Sequence, residues 1–268
     1  MAPVHPIRIG VQLHPQHGEA RALLDAGVAV DRMGADRLWT WDHFFPLYGD
    51  PGGRHFECTS LLAAWAAVTE QVELGPLVAC AAYRNPHLLA DVARTVDHLS
   101  GGRFVLGLGA GWFERDYEEY GYAFDPPGRR LDLLERTIEA VRERWPRLVP
   151  PPVRPVPLLI GGTGPRRTLR LVARHADEWH AMFPDHPGEA EASVAALVRW
   201  CEVEGRDPAT VRMGVGIEPG ALGRDLAEHA DAYVALGFTD FSLGVNGPAW
   251  DLGPVGDWLA WRDERNAG

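Results

Sequence analysis

The sequence predicts a (β/α)8 barrel. Short apolar runs alternate with longer amphipathic stretches along the whole chain, the pattern of repeated βα units on a parallel sheet; eight such runs can be counted; and glycine and proline punctuate the seams between them. The 268 residues suit one barrel of this kind, so residues 1–268 are expected to form a single (β/α)8 domain.

Ile7–Leu13 is the first strand and Glu19–Met33 the first helix, closed by Gly34 where a left-handed cap is favoured. The second strand, Arg37–Trp41, leads through Phe44–Cys58, a segment suited to a lid or wall, into the helix Thr59–Glu70. Glu73–Ala79 is the third strand. Asn85-Pro86 then opens the helix Pro86–Leu99: Asn85 caps free N–H groups, and Pro86 sits where its missing donor costs nothing. Gly101-Gly102 end that helix, and the fourth strand, Arg103–Leu108, precedes the helix Arg129–Trp145. Six prolines between Pro146 and Pro157 exclude helix and central strand and make a stiff connector between the two halves of the barrel. The fifth and sixth strands, Val156–Ile160 and Glu178–Ala181, flank the helix Pro165–His175. Gly188–Glu204, Val211–Ile217, Asp225–Leu236, Thr239–Leu243 and Val255–Arg265 complete the alternation, with Gly237 closing the seventh helix. A doubly wound sheet has the same alternation. Against it, Gly107-Leu-Gly109-Ala-Gly111 is followed by Trp112, which gives G-x-G-x-G and not the dinucleotide G-x-G-x-x-G.

Composition removes several kinds of chemistry. All 26 basic residues are arginine, so Schiff-base lysine catalysis, lysine-bound pyridoxal phosphate and Walker-type nucleotide binding are excluded. A net charge of -11 argues against nucleic-acid or anionic-membrane partners, which are bound through basic patches. Three scattered cysteines offer neither a disulfide framework nor a zinc motif, and Met1 to Gly10 lacks the apolar core of a signal peptide. A cytoplasmic protein without a transmembrane segment is expected.

In a barrel the functional rim lies just after each strand. That rim collects His14, Asp42-His43, Cys80, Gly109 to Glu114, Gly161 to Arg167 and His180, with Glu218 and Asn246 completing the ring. His43 has the chemistry of a proton carrier near neutral pH and Asp42 could orient it, although Trp-Asp-His at a strand end serves equally as a hydrogen-bonding corner. Ile160-Gly-Gly-Thr-Gly-Pro-Arg-Arg167 is more specific. Its glycines permit close backbone approach, Pro165 is placed to begin a helix, and the free N–H groups of that terminus suit an anion. An ordinary tight βα loop is the competing account. His14, His17, Asp42, His43 and His180 have no spacing that matches a metal motif, so no metal is expected. Trp112 and Phe113 either plug the mouth or face a planar ligand, and no G-x-S-x-G marks a serine nucleophile.

Thus placed, the residues resemble the luciferase-like monooxygenase superfamily, and within it the branch that uses the deazaflavin coenzyme F-420. The resemblance is carried by Gly34-Ala-Asp36, Leu38-Trp-Thr-Trp-Asp42-His43, Gly75-Pro-Leu-Val78, Tyr83-Arg-Asn-Pro86, Leu99-Ser-Gly-Gly-Arg103, Gly107-Leu-Gly-Ala-Gly-Trp112, Pro157 to Pro165 and Ala176-Asp177. It implies a (β/α)8 barrel with a non-proline cis peptide near Leu77, Val78 and Ala79, against which the deazaflavin ring would lie. It also implies Asp42 on the ring system, His43 near the reacting carbon, and Cys80, Gly109, Gly111 and Arg115 beside the cofactor. Gly162, Thr163, Gly164, Pro165 and Arg166 would hold its phosphate, and His14, Trp112 and His180 would face the substrate. Relatives that oxidise glucose 6-phosphate carry an aromatic residue where this chain has Leu47, a carboxylate in place of Trp112, and lysines for the sugar phosphate, so that activity is not expected.

The resemblance therefore implies hydride transfer between coenzyme F-420 and an unidentified small organic substrate, with His43 handling the proton. Two other readings stand beside it: an FMN-dependent monooxygenase, and a cofactor-binding relative without turnover. A homodimer is expected because relatives are commonly dimers and ten tryptophans exceed the obvious needs of one core.

Overall fold

The protein is described by a computed structural model covering residues 5–183, 187–222 and 226–268. Its strands are β1 (Arg8–Leu13), β2 (Arg37–Thr40), β3 (Glu73–Pro76), β4 (Ala79–Cys80), β5 (Leu106–Gly109), β6 (Leu158–Gly161), β7 (Glu178–Met182), β8 (Arg212–Ile217) and β9 (Asp240–Val245). All pair in parallel, in the order β3-β2-β1-β9-β8-β7-β6-β5-β4. The helices are α1 (Ala20–Arg32), α2 (Cys58–Val68), α3 (Pro86–Leu99), α4 (Glu114–Tyr120), α5 (Pro127–Arg144), α6 (Thr168–His175), α7 (Pro187–Val203), α8 (Leu226–Ala235) and α9 (Gly253–Ala267).

β3 and β4 are two halves of one stave, interrupted by the cis peptide Leu77-Val78. Both halves pair with the same segment: Leu74 bridges to Phe104, while Ala79 and Cys80 pair with Leu108 and Gly109. The ring closes there with eight staves. The closure depends on two glycines, because a Cβ at Gly75 would lie 2.0 Å from the Val105 carbonyl oxygen and one at Gly107 would lie 2.1 Å from that of Pro76. The single third strand expected over Glu73–Ala79 is thus corrected to two short ones.

The lower end of the barrel is closed by charge. Arg8, Arg37, Glu73, Glu178, Arg212 and Asp240 are each the first residue of their strand, three cations and three anions. Arg37 is 2 % exposed. Its guanidinium grips Glu178 in a two-armed contact and lies 3.2 Å from both Glu73 and Asp240, while Arg8 reaches Glu73 at 3.0 Å and Arg212 reaches Asp240 at 3.0 Å. Burial works against the Glu178 charge, but Arg37 outweighs it and holds the carboxyl below its ordinary range; burial leaves Asp240 above its own.

Asn85 caps α3 as the sequence predicts, accepting from the His87 and Leu88 amides. Glu57 caps α2 in the same way; its burial is outweighed by hydrogen bonds from Ser60 and Thr59, which bring its carboxyl down to about 2. Two elements depart from expectation. α4 was not anticipated, since over seven residues only Asp116 and Tyr117 are buried, too few for a helical period, before Gly121 ends it at φ 74°. α6 begins at Thr168, three residues after Pro165, because residues 165–167 form a turn after Gly162 at φ 122°. The proline-rich connector is irregular apart from one 3-10 turn at Trp145–Arg147. Of the helix expected over Asp225–Leu236, Asp225 lies outside the described residues. Among the described residues, no helix is long and apolar enough to cross a membrane. Seven of the ten tryptophans are buried within one chain, so their number does not itself call for a partner.

Candidate functional site

At the C-terminal ends of the strands the barrel opens into a cavity of about 540 Å³, within the range of small-molecule sites. Glycines create it. Gly109, Gly161, Gly216 and Gly244 all line the space, and a Cβ at Gly109 or Gly161 would press on the Val78 side chain at 2.6 and 3.0 Å. Leu77 and Val78 form part of the wall, and their peptide is fixed from both sides: Leu77 N–H donates to Thr40 O at 2.7 Å, and Gln12 Nε2 donates to Leu77 O at 2.8 Å. The family resemblance, which placed the cis peptide near Leu77, Val78 and Ala79, is borne out at Leu77-Val78.

Asp42 and His43 leave β2 side by side but enter different networks. Asp42 is buried and accepts both arms of Arg84, at 2.6 and 2.8 Å, together with the Cys80 amide at 3.0 Å. Its carboxylate therefore anchors the second half of the broken stave. His43 turns to Asp116 on α4, with Nδ1 2.6 Å from Oδ2. Asp116 is fully buried and also accepts from the Tyr83 hydroxyl at 3.0 Å and the Phe44 amide at 3.1 Å, so it is held as an acceptor. The Nδ1 proton is committed to Asp116, and Nε2 makes no hydrogen bond to the described residues. His43 lines the cavity, and Trp112 and Phe113 lie edge-on to its ring at 5.6 and 5.5 Å. Arg84 and Asp116 were not identified from sequence. Arg84 lies in Tyr83-Arg-Asn-Pro86, which carries no local signal of its partner, and Asp116 sits in the short helix α4.

The other wall is aromatic. Trp41 stacks on His14 at 4.1 Å and donates its indole N–H to His55 Nε2 at 2.9 Å. His14 Nδ1 lies 2.7 Å from Asn246 Oδ1, and burial brings the imidazole down to about 4, against the smaller opposing effect of that bond. His180 is likewise brought down to about 4 by burial and then by the charge of Arg37. Its Nε2 is buried with no hydrogen-bond partner. Both histidines are neutral at pH 7.

Cys80, Gly109, Gly111, Trp112, Gly162 and Thr163 also line the cavity. Cys80 Sγ lies 3.1 Å from the Tyr117 hydroxyl, and burial pushes the thiol up to about 11, so it is not a nucleophile at neutral pH. Ala79, Arg115, Gly164, Pro165 and Arg166 are not among the lining residues. Arg115 instead lies over the Phe45 ring at 3.9 Å and donates to Pro51 O at 2.8 Å. In the β6 loop, Arg167 is tied to Asp132 and Gly128 O, and Arg170 to Glu204; Arg166 is exposed and has no hydrogen bond or ion pair to the described residues. His14 and His43 engage separate partners, and the His180 ring has no hydrogen bond among the described residues. The described cluster with three metal-capable groups, Glu135, Glu139 and His175, belongs to α5 and α6.

The sequence matches a known family model, luciferase-like monooxygenase, over residues 1–242. The chain belongs to the luciferase-like monooxygenase family. An uncharacterised Mycobacterium bovis protein is 30% identical over 203 residues, which span 69% of this chain and 67% of that one. An F420-dependent glucose-6-phosphate dehydrogenase of Amycolatopsis mediterranei is 26% identical over 187 residues, 63% of this luciferase-like chain and about half (54%) of the relative. Among solved structures, an F420-dependent secondary alcohol dehydrogenase in complex with an F420-acetone adduct superposes with a TM-score of 0.82 at 17% identity, covering 93% of this chain and 96% of that one. That likeness establishes the luciferase-like barrel.

Proposed function

We propose that the protein transfers a hydride between the deazaflavin coenzyme F-420 and a small organic alcohol or carbonyl compound, with His43 as the proton carrier. The observation that carries this reading is the His43–Asp116 pair at the cavity wall, with Nδ1 committed and Nε2 available. The F420 dependence named for both the dehydrogenase relative and the alcohol dehydrogenase structure supports the choice of cofactor.

The residues present fit such a group. Glycines at positions 109 and 161 keep Val78 exposed to the cavity as an apolar rest for a flat ring. Gly162 and Thr163 line the β6 end, where exposed Arg166 is an uncommitted cation for a phosphate. When bound, the deazaflavin supplies a ring carbon that accepts or gives a hydride. In alcohol oxidation His43 Nε2 would take the hydroxyl proton, and in carbonyl reduction it would return a proton to the substrate oxygen. Asp116 holds the imidazole in the required tautomer. Asp42 acts indirectly, by fixing the Cys80 amide.

The decisive experiment titrates the apoprotein with F-420 and with FMN at constant salt, following fluorescence. Micromolar or tighter binding of F-420 alone, with His43→Ala lowering turnover about 10²-fold or more while cofactor affinity stays within about threefold, supports the proposal. Preference for FMN with oxygen uptake on reduction moves the protein to the monooxygenase chemistry of the family name.

A further inference from the structure

We propose that the substrate bears a protonated amine, bound at the cavity mouth between the Glu218 carboxylate and the rings of Tyr48 and Trp41, and that the site discriminates against phosphates and carboxylates. The proposal rests on the oxidoreductase reading above and adds the substrate's chemical class to it.

Among the described residues, no cationic group able to hold an anion lines the cavity. The chain has no lysine, and no arginine is among the described lining residues. Arg84, the nearest guanidinium in the network of the site, is consumed by Asp42 on both arms and by Glu57 at 2.7 Å. His14 and His180 are neutral, and His43 is paired with a buried carboxylate. A phosphorylated or carboxylated substrate would enter this space without a counter-charge.

The opposite holds for a cation. Glu218 follows β8 and lines the cavity, yet no arginine or histidine pairs with it among the described residues. Among the described residues its one side-chain hydrogen bond is a long 3.4 Å contact from the Tyr48 hydroxyl, which leaves acceptor capacity on the carboxylate. Beside it, Tyr48 and Trp41 are inclined to each other by 47° with centroids 6.0 Å apart, and Tyr48 is 44% exposed, open to the mouth. His14 stacks on Trp41 at 4.1 Å and also lies face-on to Tyr48 at 5.9 Å, so it holds the two rings in place. Two inclined electron-rich faces beside one carboxylate are the surroundings in which an alkylammonium is bound by cation–π attraction and a charge-assisted hydrogen bond. Burial and then the Glu218 charge raise the Tyr48 phenol, which therefore keeps its proton and does not add a second anion. The loop after β6, where the cofactor phosphate is placed, lies two staves away from Glu218, so the two charges are served by different parts of the rim.

The test uses three probes of one shape, phenethylammonium, 2-phenylethanol and 3-phenylpropionate, with binding followed by saturation-transfer NMR on the apoprotein and on the protein preloaded with F-420. The ammonium is expected to bind at least about tenfold tighter than the carboxylate, with the alcohol between them. Glu218→Gln should erase that order while leaving F-420 affinity within about twofold and the melting temperature unchanged. Tyr48→Leu, a second variant, should weaken the ammonium about fivefold through loss of one ring. Equal or tighter binding of the carboxylate, an order that survives Glu218→Gln, or binding of none of the probes overturns the proposal. If F-420 does not bind but a Glu218-dependent ammonium preference persists, the charge assignment stands and the oxidoreductase reading falls.

Discussion

Replacing Arg37 by methionine tests whether the charged ring at the base of the barrel acts as one unit. Methionine fills much of the same volume, so the change removes a charge from among three acidic side chains with little loss of packing. Glu178 and Asp240, 8% and 6% exposed, would be left facing each other without the guanidinium that reaches both. Breaking a buried pair from one side costs about 3–5 kcal/mol, because the remaining charge keeps its desolvation penalty. For a chain of this size that corresponds to a fall in melting temperature of roughly 10 °C. The pH dependence gives the sharper signature. In the native protein the lowered Glu178 carboxyl contributes stability that is present above its ordinary range and lost as pH falls through the depressed value. In Arg37→Met burial is opposed only by Arg212 and, at Glu178, by the charge of Arg8, so both carboxyls rise and protonation restores part of the stability as pH falls from 7 towards 5. Urea unfolding followed by tryptophan fluorescence at both pH values should show the gap between native protein and variant narrowing in acid. A loss below about 1 kcal/mol, unchanged across that range, would refute the buried-ring account.

Further predictions follow from single contacts. Asp116→Asn should lower turnover about 10²-fold with cofactor affinity unchanged, and adding it to His43→Ala should cost almost nothing more, since the two residues act as a pair. Asp31 accepts from the Glu70, Gln71 and Val72 amides, each at 2.9 Å; burial opposes its charge, but these bonds and Arg103 outweigh it and lower the carboxyl. Asp31→Ala should cost about 2–3 kcal/mol at pH 7 by urea unfolding, a difference that shrinks in acid as the native carboxylate is protonated. Gly75→Ala should prevent barrel closure or cost several kcal/mol, because its Cβ meets a backbone oxygen at 2.0 Å, whereas Gly256→Ala, in open space within α9, should stabilise by about 0.5–1 kcal/mol in the same assay.

Much of the barrel was legible because its signals are local. Apolar runs marked the staves, and Gly34, Gly101, Gly102 and Gly237 do take positive φ where turns were expected. The broken third stave was readable through family resemblance alone, since Glu73 to Ala79 is continuously apolar enough for one strand. Within the site, residues just after strands were found readily: His14, Asp42, His43 and His180 all reach the cavity. Partners that meet across the fold were not. Asp116 reaches His43 over 73 positions and Arg84 reaches Asp42 over 42, distances at which one sequence carries no pairing signal. Arg115 shows the converse: family resemblance placed it beside the cofactor, while its side chain lies over the Phe45 ring and outside the cavity lining.

The charged ring at the base also has a kinetic consequence. With Arg37 and its carboxylates filling the lower end, the cavity among the described residues is open at the rim and closed at the base. Two ligands that occupy it together must queue: the deeper one arrives first and departs last. If cofactor and substrate do share this space, the plug makes ordered addition the expected scheme, with throughput limited by how quickly the outer ligand clears the entrance.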